Sequence, residues 1–206
     1  MSKNLNIEIY KSFNDSLKII WKNFEENSIN YCFQNYYWLN NWYENFKKQE
    51  KIEACVVVVY SGKTICGIFP FCVHEIKSIK FLKWMGGEQS DYMNGLFSNN
   101  FIFEKDKFFY LWKLIKKELP TFDIIHLYNQ PEYILDTLNP FVKNLKAIKN
   151  GFTNGIEIQD SFEEYIDKNL KKKFLNDTKR SLNQLNKRGK LEFKIREKKN
   201  ILDNVD

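Results

Sequence analysis

Residues 52–72 read IEACVVVVYSGKTICGIFPFC, and this stretch decides how the chain folds. Four consecutive valines, Val56 to Val59, run into Tyr60. Such a run is too short for a helix and too apolar for a strand with one wet face. It predicts a central strand covered on both sides. Ser61-Gly62-Lys63 supplies a turn, because glycine reaches positive φ without a Cβ clash. Residues 64–69 then return antiparallel, and Pro70, which lacks an N–H, is expected to weaken the ladder. A hairpin alone is marginal in water, so further strands and a helix layer are required.

Working outward toward the N-terminus, residues 6–10 alternate as a strand. Residues 13–24 carry Leu17, Ile20, Trp21 and Phe24 at helical spacing, with Asn14 or Asp15 as the cap. Residues 28–33 read as a connector. Asn35 is placed to cap a second helix, YYWLNNWYENF, with Trp38, Leu39, Trp42 and Phe46 as its inner stripe.

On the other side, residues 79–85 predict a third core strand ended by Gly86-Gly87. Residues 88–95, EQSDYMNG, leave that strand end as a polar, turn-rich segment, a usual place for a binding loop. Residues 96–103 read as an edge strand. Residues 106–119 read as a helix with Phe109, Leu111, Trp112 and Ile115 inward. Residues 122–128 read as a buried strand, and 132–145 as a helical stretch broken at Asn139-Pro140. Residues 146–155 connect to a short strand at 155–159. Ser161 and Glu164 form a capping box before a short helix. A longer helix at 170–188 shows an apolar stripe, Leu170, Phe174, Leu182 and Leu185, opposite a basic side. Gly189 is its expected stop. Residues 191–195 alternate as a strand that needs a covering layer, and 198–206 are polar.

The chain has 206 residues, 43% of them hydrophobic and 17% aromatic, which is ample for a packed core and unlike a disordered composition. The formal charge of +6 sits in a Lys-, Asn- and Ile-rich background, so basic residues carry meaning only where they cluster. Cys32, Cys55, Cys66 and Cys72 are not at metal-ligand or redox-motif spacing, so no metal is expected. The polar opening does not resemble a signal peptide, and no apolar run would span a bilayer. A reduced, cytoplasmic protein is the expectation.

Gly62-Lys63-Thr64 imitates the end of a phosphate-binding loop, but Val57 stands where its first glycine would be and no helix follows. His126, inside an apolar strand, reads as a core histidine. Asp91-Tyr92-Met93-Asn94 places a carboxylate, a phenol and an amide on one loop, a set able to orient a polar substrate. The competing and simpler reading is an ordinary turn whose Asp and Asn satisfy their own backbone. Lys171-Lys172-Lys173, Lys179-Arg180 and Lys187-Arg188 decorate one helix, either as a solvated face or as a site for phosphate or carboxylate groups. Nucleic acid fits less well, because the charge is confined to one helix without interleaved stacking aromatics.

Taken in order, several pieces match a family. They are Phe33-Gln34 followed by Tyr37-Trp38-Leu39 and Trp42, the valine strand, and Gly67-Ile68-Phe69-Pro70-Phe71. Then come Phe81-Leu82 before Gly86-Gly87, Asp91-Tyr92, Phe122-Asp123 entering residues 124–128, and the basic helix of residues 171–193. The chain resembles GNAT-like acyltransferases of the CelD-like, cellulose-biosynthesis-associated group, relatives of the FemAB aminoacyltransferases.

The resemblance implies an α/β (α+β) fold of two tandem GNAT-like units. Each is a mixed, mainly antiparallel sheet flanked by helices, the first at 1–150 and the opening of the second at 151–206. It implies acyl transfer from acetyl-CoA or another acyl-CoA to an amine on a small molecule or a cell-envelope or polysaccharide precursor. The main donor cradle is expected outside this chain, which makes activity of the chain alone an open matter and self-association through its C-terminal segment an expectation. Trp38, Asp91 and Tyr92 would line the acceptor site, and Lys173 and Arg180 would face an anionic group. No catalytic base is assigned. Two other readings stand beside it: a non-catalytic module binding a carbohydrate or cell-wall precursor, and a basic nucleic-acid adaptor.

Overall fold

The computed structural model describes residues 5–100, 102–152 and 155–192. The chain divides into two units, Met1–Lys149 and Asn150–Asp206. In chain order the first unit contains β1 (Leu5–Tyr10), α1 (Asp15–Glu25), β2 (Ser28–Ile29), a 3-10 turn (Cys32–Gln34) and α2 (Tyr36–Phe46). Next come β3 (Ile52–Ser61), β4 (Thr64–Ile76), β5 (Ile79–Trp84), a second 3-10 turn (Gly87–Gln89) and β6 (Leu96–Ser98). The unit continues with α3 (Lys105–Glu118), β7 (Ile124–Ile125), β8 (Tyr133–Ile134), β9 (Thr137–Leu138) and α4 (Pro140–Asn144).

The main sheet runs β1-β3-β4-β5-β7, with β6 also on β4 and β2 on β6. Every pairing in it is antiparallel except β5–β7, which is parallel. The fold is therefore mixed α+β, with a mainly antiparallel sheet flanked by helices. The valine run explains the layering. Val56 and Val58 pack with Leu17, Trp21 and Leu39 from α1 and α2. Val57 and Val59 point the other way, into a cluster with Phe108, Leu111 and Phe141 from α3 and α4. Alternation of side chains puts two valines into each layer, so β3 is buried on both faces.

Asn14 caps α1 by accepting the Leu17 N–H at 2.8 Å, and Asn35 caps α2 by accepting from Tyr37 and Trp38. Gly62 makes the β3–β4 turn at φ 67°, and a strand, not a helix, follows it.

Pro70 does not end β4, which continues to Ile76 opposite β3. Along one side β4 pairs first with β6, at Gly67–Ile68, and then with β5, from Phe71 onward. Pro70 lies at the division between them, where its carbonyl accepts the Met85 N–H at 2.8 Å. In an extended strand the N and C=O of one residue point to the same side, so the missing donor faces the division and leaves the β3 ladder intact.

Several expectations are corrected. On α3, Phe108 joins Leu111, Trp112 and Ile115 in the core, while Phe109 is exposed. Residue 108 is the one in phase with 111, 112 and 115; residue 109 is turned a further 100° round the helix. On α2, Trp38 is 41% exposed, and Tyr36, Leu39, Trp42 and Tyr43 form the buried stripe. Residues 28–29 form a strand rather than a connector, and β6 is shorter than expected and lies inside the sheet between β2 and β4. Residues 122–128 are not a buried strand. Only Ile124–Ile125 pair, on the outer side of β5, and both are exposed. Residues 132–145 form the β8–β9 hairpin and α4. Asn139 accepts the Phe141 N–H at 3.0 Å, and Pro140 stands in the first turn, so the Asn-Pro pair starts a helix.

The second unit contains α5 (Phe162–Asn169) and α6 (Lys172–Arg188). Ser161 caps α5, its Oγ accepting the Glu164 N–H at 3.1 Å. Described residues 155–159 are not a strand, and α6 starts at Lys172, after the expected 170. Gly189 follows α6 in an extended conformation, φ 167°, rather than a left-handed one. Leu191 and Glu192 are not in a strand; the rest of the expected strand and the polar 198–206 lie outside the described residues. No described helix is long and apolar enough to cross a membrane.

Burial separates the four thiols. Cys55 and Cys66 are pushed up to about 12 by burial, and Cys72 is raised further for the same reason, while Cys32 is exposed. Only a thiolate attacks a disulfide reagent. In the native protein at mild alkaline pH one thiol, Cys32, is expected to react rapidly with an aromatic disulfide, and the other three only after denaturation. Rapid reaction of two or more native thiols would contradict this packing of β3 and β4.

Candidate functional site

Residues 85–95 carry the chain from the end of β5 to the start of β6 along the divided side of β4. Gly86 and Gly87 adopt φ 114° and 52°, which turns the chain sharply off β5. A Cβ on Gly86 would run into the Ser90 side chain. At the far end, a Cβ on Gly95 would meet the buried Phe69 ring and lie 3.1 Å from the Ile68 carbonyl. The segment is thus folded tightly on itself at Gly86 and held against the sheet at Gly95.

Its middle is fastened to α2 and to the 3-10 turn before α2. Trp38 Nε1–H donates to Ser90 Oγ at 3.0 Å, and Trp42 Nε1–H donates to Gln89 Oε1 at 3.1 Å. Buried Gln34 donates through Nε2 to the Tyr92 carbonyl at 2.8 Å and accepts the Tyr31 N–H at 2.9 Å. The Met93 N–H donates to the Asn129 carbonyl at 2.9 Å. Around these bonds the rings form a wall. Tyr92 stacks on Tyr31 at 4.8 Å and meets Phe33 edge-on at 6.1 Å, and Phe33 meets Trp38 edge-on at 5.8 Å. The Tyr31 hydroxyl donates to the Tyr133 carbonyl and accepts the Leu135 N–H, each at 3.2 Å, which ties the wall to the β8–β9 hairpin.

Trp38 and Tyr92 therefore share Phe33, with Asp91 beside Tyr92 on the same loop. Asp91 is exposed, and among the described residues no hydrogen bond or ion pair occupies its carboxylate. It does not satisfy its own turn. Asn94 does so in part: it is buried, and its Nδ2 donates to the Gly95 carbonyl at 2.6 Å, while its Oδ1 is buried without a partner. On the far side of Trp38 lies an open groove of about 620 Å³, lined by Glu25, Glu26, Asn35, Tyr37 and Asn41 among others. Glu25 is already engaged by Lys22 at 2.7 Å, Asn35 Nδ2 at 2.8 Å and the Tyr36 N–H at 3.0 Å.

Lys173 and Arg180 lie in the second unit, both exposed on α6 and seven residues apart on one side of that helix. His126 is exposed and stacks on Tyr128 at 5.0 Å, so it is not the core histidine its apolar neighbours suggested. Among the described residues no group of three or more His, Cys, Asp or Glu is arranged to hold a metal ion. The sequence does not single out Tyr31 or Gln34 as parts of a site. The one signal for them is the density of aromatic residues from 31 to 38. Comparison with protein-family models, with curated proteins and with solved structures finds no match to this chain.

Proposed function

We propose that the first unit binds the acceptor in a GNAT-like N-acyltransferase resembling the CelD-like group, acting in the cytoplasm. The acyl group would come from acetyl-CoA or another acyl-CoA, and the acceptor would be an amine on a small molecule or a cell-envelope or polysaccharide precursor. The observation that carries the reading is the meeting of Trp38 and Tyr92 at Phe33, with the exposed Asp91 next to Tyr92 on the same loop. The mixed sheet, with its one parallel pair joined across α3, supports it.

Acyl transfer needs a neutral amine that attacks the thioester carbonyl, stabilisation of the resulting oxyanion, and departure of the CoA thiolate with a proton. An amine arrives mostly protonated. Asp91 would attract and orient that ammonium, and the faces of Trp38 and Tyr92 would hold it by their negative π-surfaces; the ammonium must then give its proton to water before the neutral amine attacks. Lys173 and Arg180, on α6 of the second unit, would bind an anionic group.

A second reading, a non-catalytic glycan-precursor module, is favoured by the groove beside Trp38. There an exposed indole, the Tyr37 ring and the Asn41 amide form a surface suited to a sugar.

Calorimetric titration of the chain with amino sugars and diamines, in parallel with release of free CoA from acetyl-CoA, tests both. Asp91→Ala is expected to change folding stability by less than about 0.5 kcal/mol, as for an exposed position. It is expected to weaken acceptor binding about ten-fold, a loss of about 1.4 kcal/mol. Trp38→Ala should weaken binding at least as much. Binding of an amino sugar no tighter than that of the matching neutral sugar moves the conclusion to the binding module. Unchanged binding in both variants returns residues 88–95 to a plain turn.

A further inference from the structure

The helix α6 carries an apolar stripe and a basic face of which the acceptor reading uses only Lys173 and Arg180. None of its residues is buried. Phe174, Leu182 and Leu185 are 57%, 46% and 50% exposed, and their offsets of eight and three residues align them in one stripe along the helix. The rest of the helix is basic: Lys172, Lys173, Lys179, Arg180, Lys187 and Arg188 stand against a single acid, Asp177. Among the described residues no ion pair engages any of these six cations.

We propose that α6 is a membrane-surface helix, lying in the headgroup boundary of an anionic lipid bilayer with Phe174, Leu182 and Leu185 inserted. A strongly charged polar face, low overall hydrophobicity and a Phe/Leu stripe are the physical requirements for a helix that rests in an interface without crossing it. The 17 residues span about 25 Å along the bilayer plane.

Charge complementarity selects the anionic bilayer over the other occupants. Water satisfies the basic face and leaves the stripe uncovered. A nucleic acid likewise satisfies the cations and has no use for three adjacent apolar side chains. A second copy would cover the stripe, but Lys179 and Arg188 border it, and two copies face to face would bring like charges together. A bilayer takes both faces at once. The apolar stripe enters the acyl boundary, and the bordering Lys and Arg extend their stems so that their charges reach the phosphates. Lys173 and Arg180, further from the stripe, remain available to a soluble anion, so the surface role stands whether or not the acceptor reading holds.

The test is co-sedimentation of the full chain with phosphatidylcholine vesicles, with and without about one third phosphatidylglycerol, at about 0.1 M and about 0.5 M salt. Binding to the anionic vesicles is expected to exceed binding to the neutral ones by about ten-fold and to fall steeply with salt. Phe174→Ser combined with Leu182→Ser should lose about ten-fold in binding without loss of helix content in the free protein, because both positions are exposed. Lys179→Glu combined with Arg188→Glu should lose as much. Equal binding to neutral vesicles, or retention of binding in either double variant, overturns the proposal. So does a dimer in solution that the serine variant dissociates while vesicle binding is absent, or duplex DNA binding that exceeds vesicle binding and ignores the serine substitutions.

Discussion

Val57→Asp is expected to yield no soluble, folded protein. Val57 is fully buried, sits opposite Phe69 in the β3–β4 ladder, and belongs to the cluster containing Phe71, Leu111 and Phe141. That cluster is built of hydrophobic side chains, so an aspartate placed there has nothing to pair with. Burying even a neutral polar group without a partner costs roughly 2–7 kcal/mol, and an isolated charge costs more. Native domains hold only about 5–15 kcal/mol in total. Lys63→Asp, in the exposed turn of the same hairpin, is the matched control and should change stability by less than about 0.5 kcal/mol. Soluble yield and cooperative melting by circular dichroism are the measurements. A Val57→Asp protein that melts like its parent would remove β3 from the centre of the fold.

The second large effect is expected at Phe141, the buried anchor of α4. Its ring stands edge-on to Trp84 at 5.0 Å, Phe69 at 5.1 Å, Phe108 at 5.2 Å and Trp112 at 5.7 Å. One side chain thus joins α3, β4 and β5, and a helix of five residues has no stability of its own without it. Phe141→Ala should cost about 3–5 kcal/mol, the range for emptying a buried aromatic position. Urea denaturation reads this as a lower midpoint at unchanged slope. Phe141→Leu keeps most of the apolar volume and should fold with a smaller loss, which separates a cavity from general failure to fold. A shift below about 1 kcal/mol for the alanine variant would mean that α4 is not part of this core.

Part of the candidate site is legible in the sequence. Asp91 and Tyr92 stood out because polar residues with turn chemistry leave the end of an apolar strand, and that pattern is local. Trp38 was recognised as important but assigned to the inner stripe of α2, whereas it stands exposed and bonds to Ser90. Gln34 could not be read as part of the site at all. Its side chain reaches the Tyr92 carbonyl 58 residues away, and nothing in its immediate neighbours encodes that.

The same division runs through the fold. The sequence by itself determined what depends on residues a few positions apart: the two-faced valine strand, the turn at Gly62, and the caps Asn35 and Ser161. Each is a preference of the backbone or of side-chain alternation that a few neighbours settle. The tertiary structure alone decided which apolar runs become interior. Ile124 and Ile125 read as core, yet they pair only with β5 and lie exposed, because burial depends on which strands flank a segment. Asn139-Pro140 suits the end of one helix or the start of another, and packing of Phe141 into the aromatic core selects the start. Pro70 stays inside β4 because its missing donor faces the division between β5 and β6, a division that exists only once three strands have met.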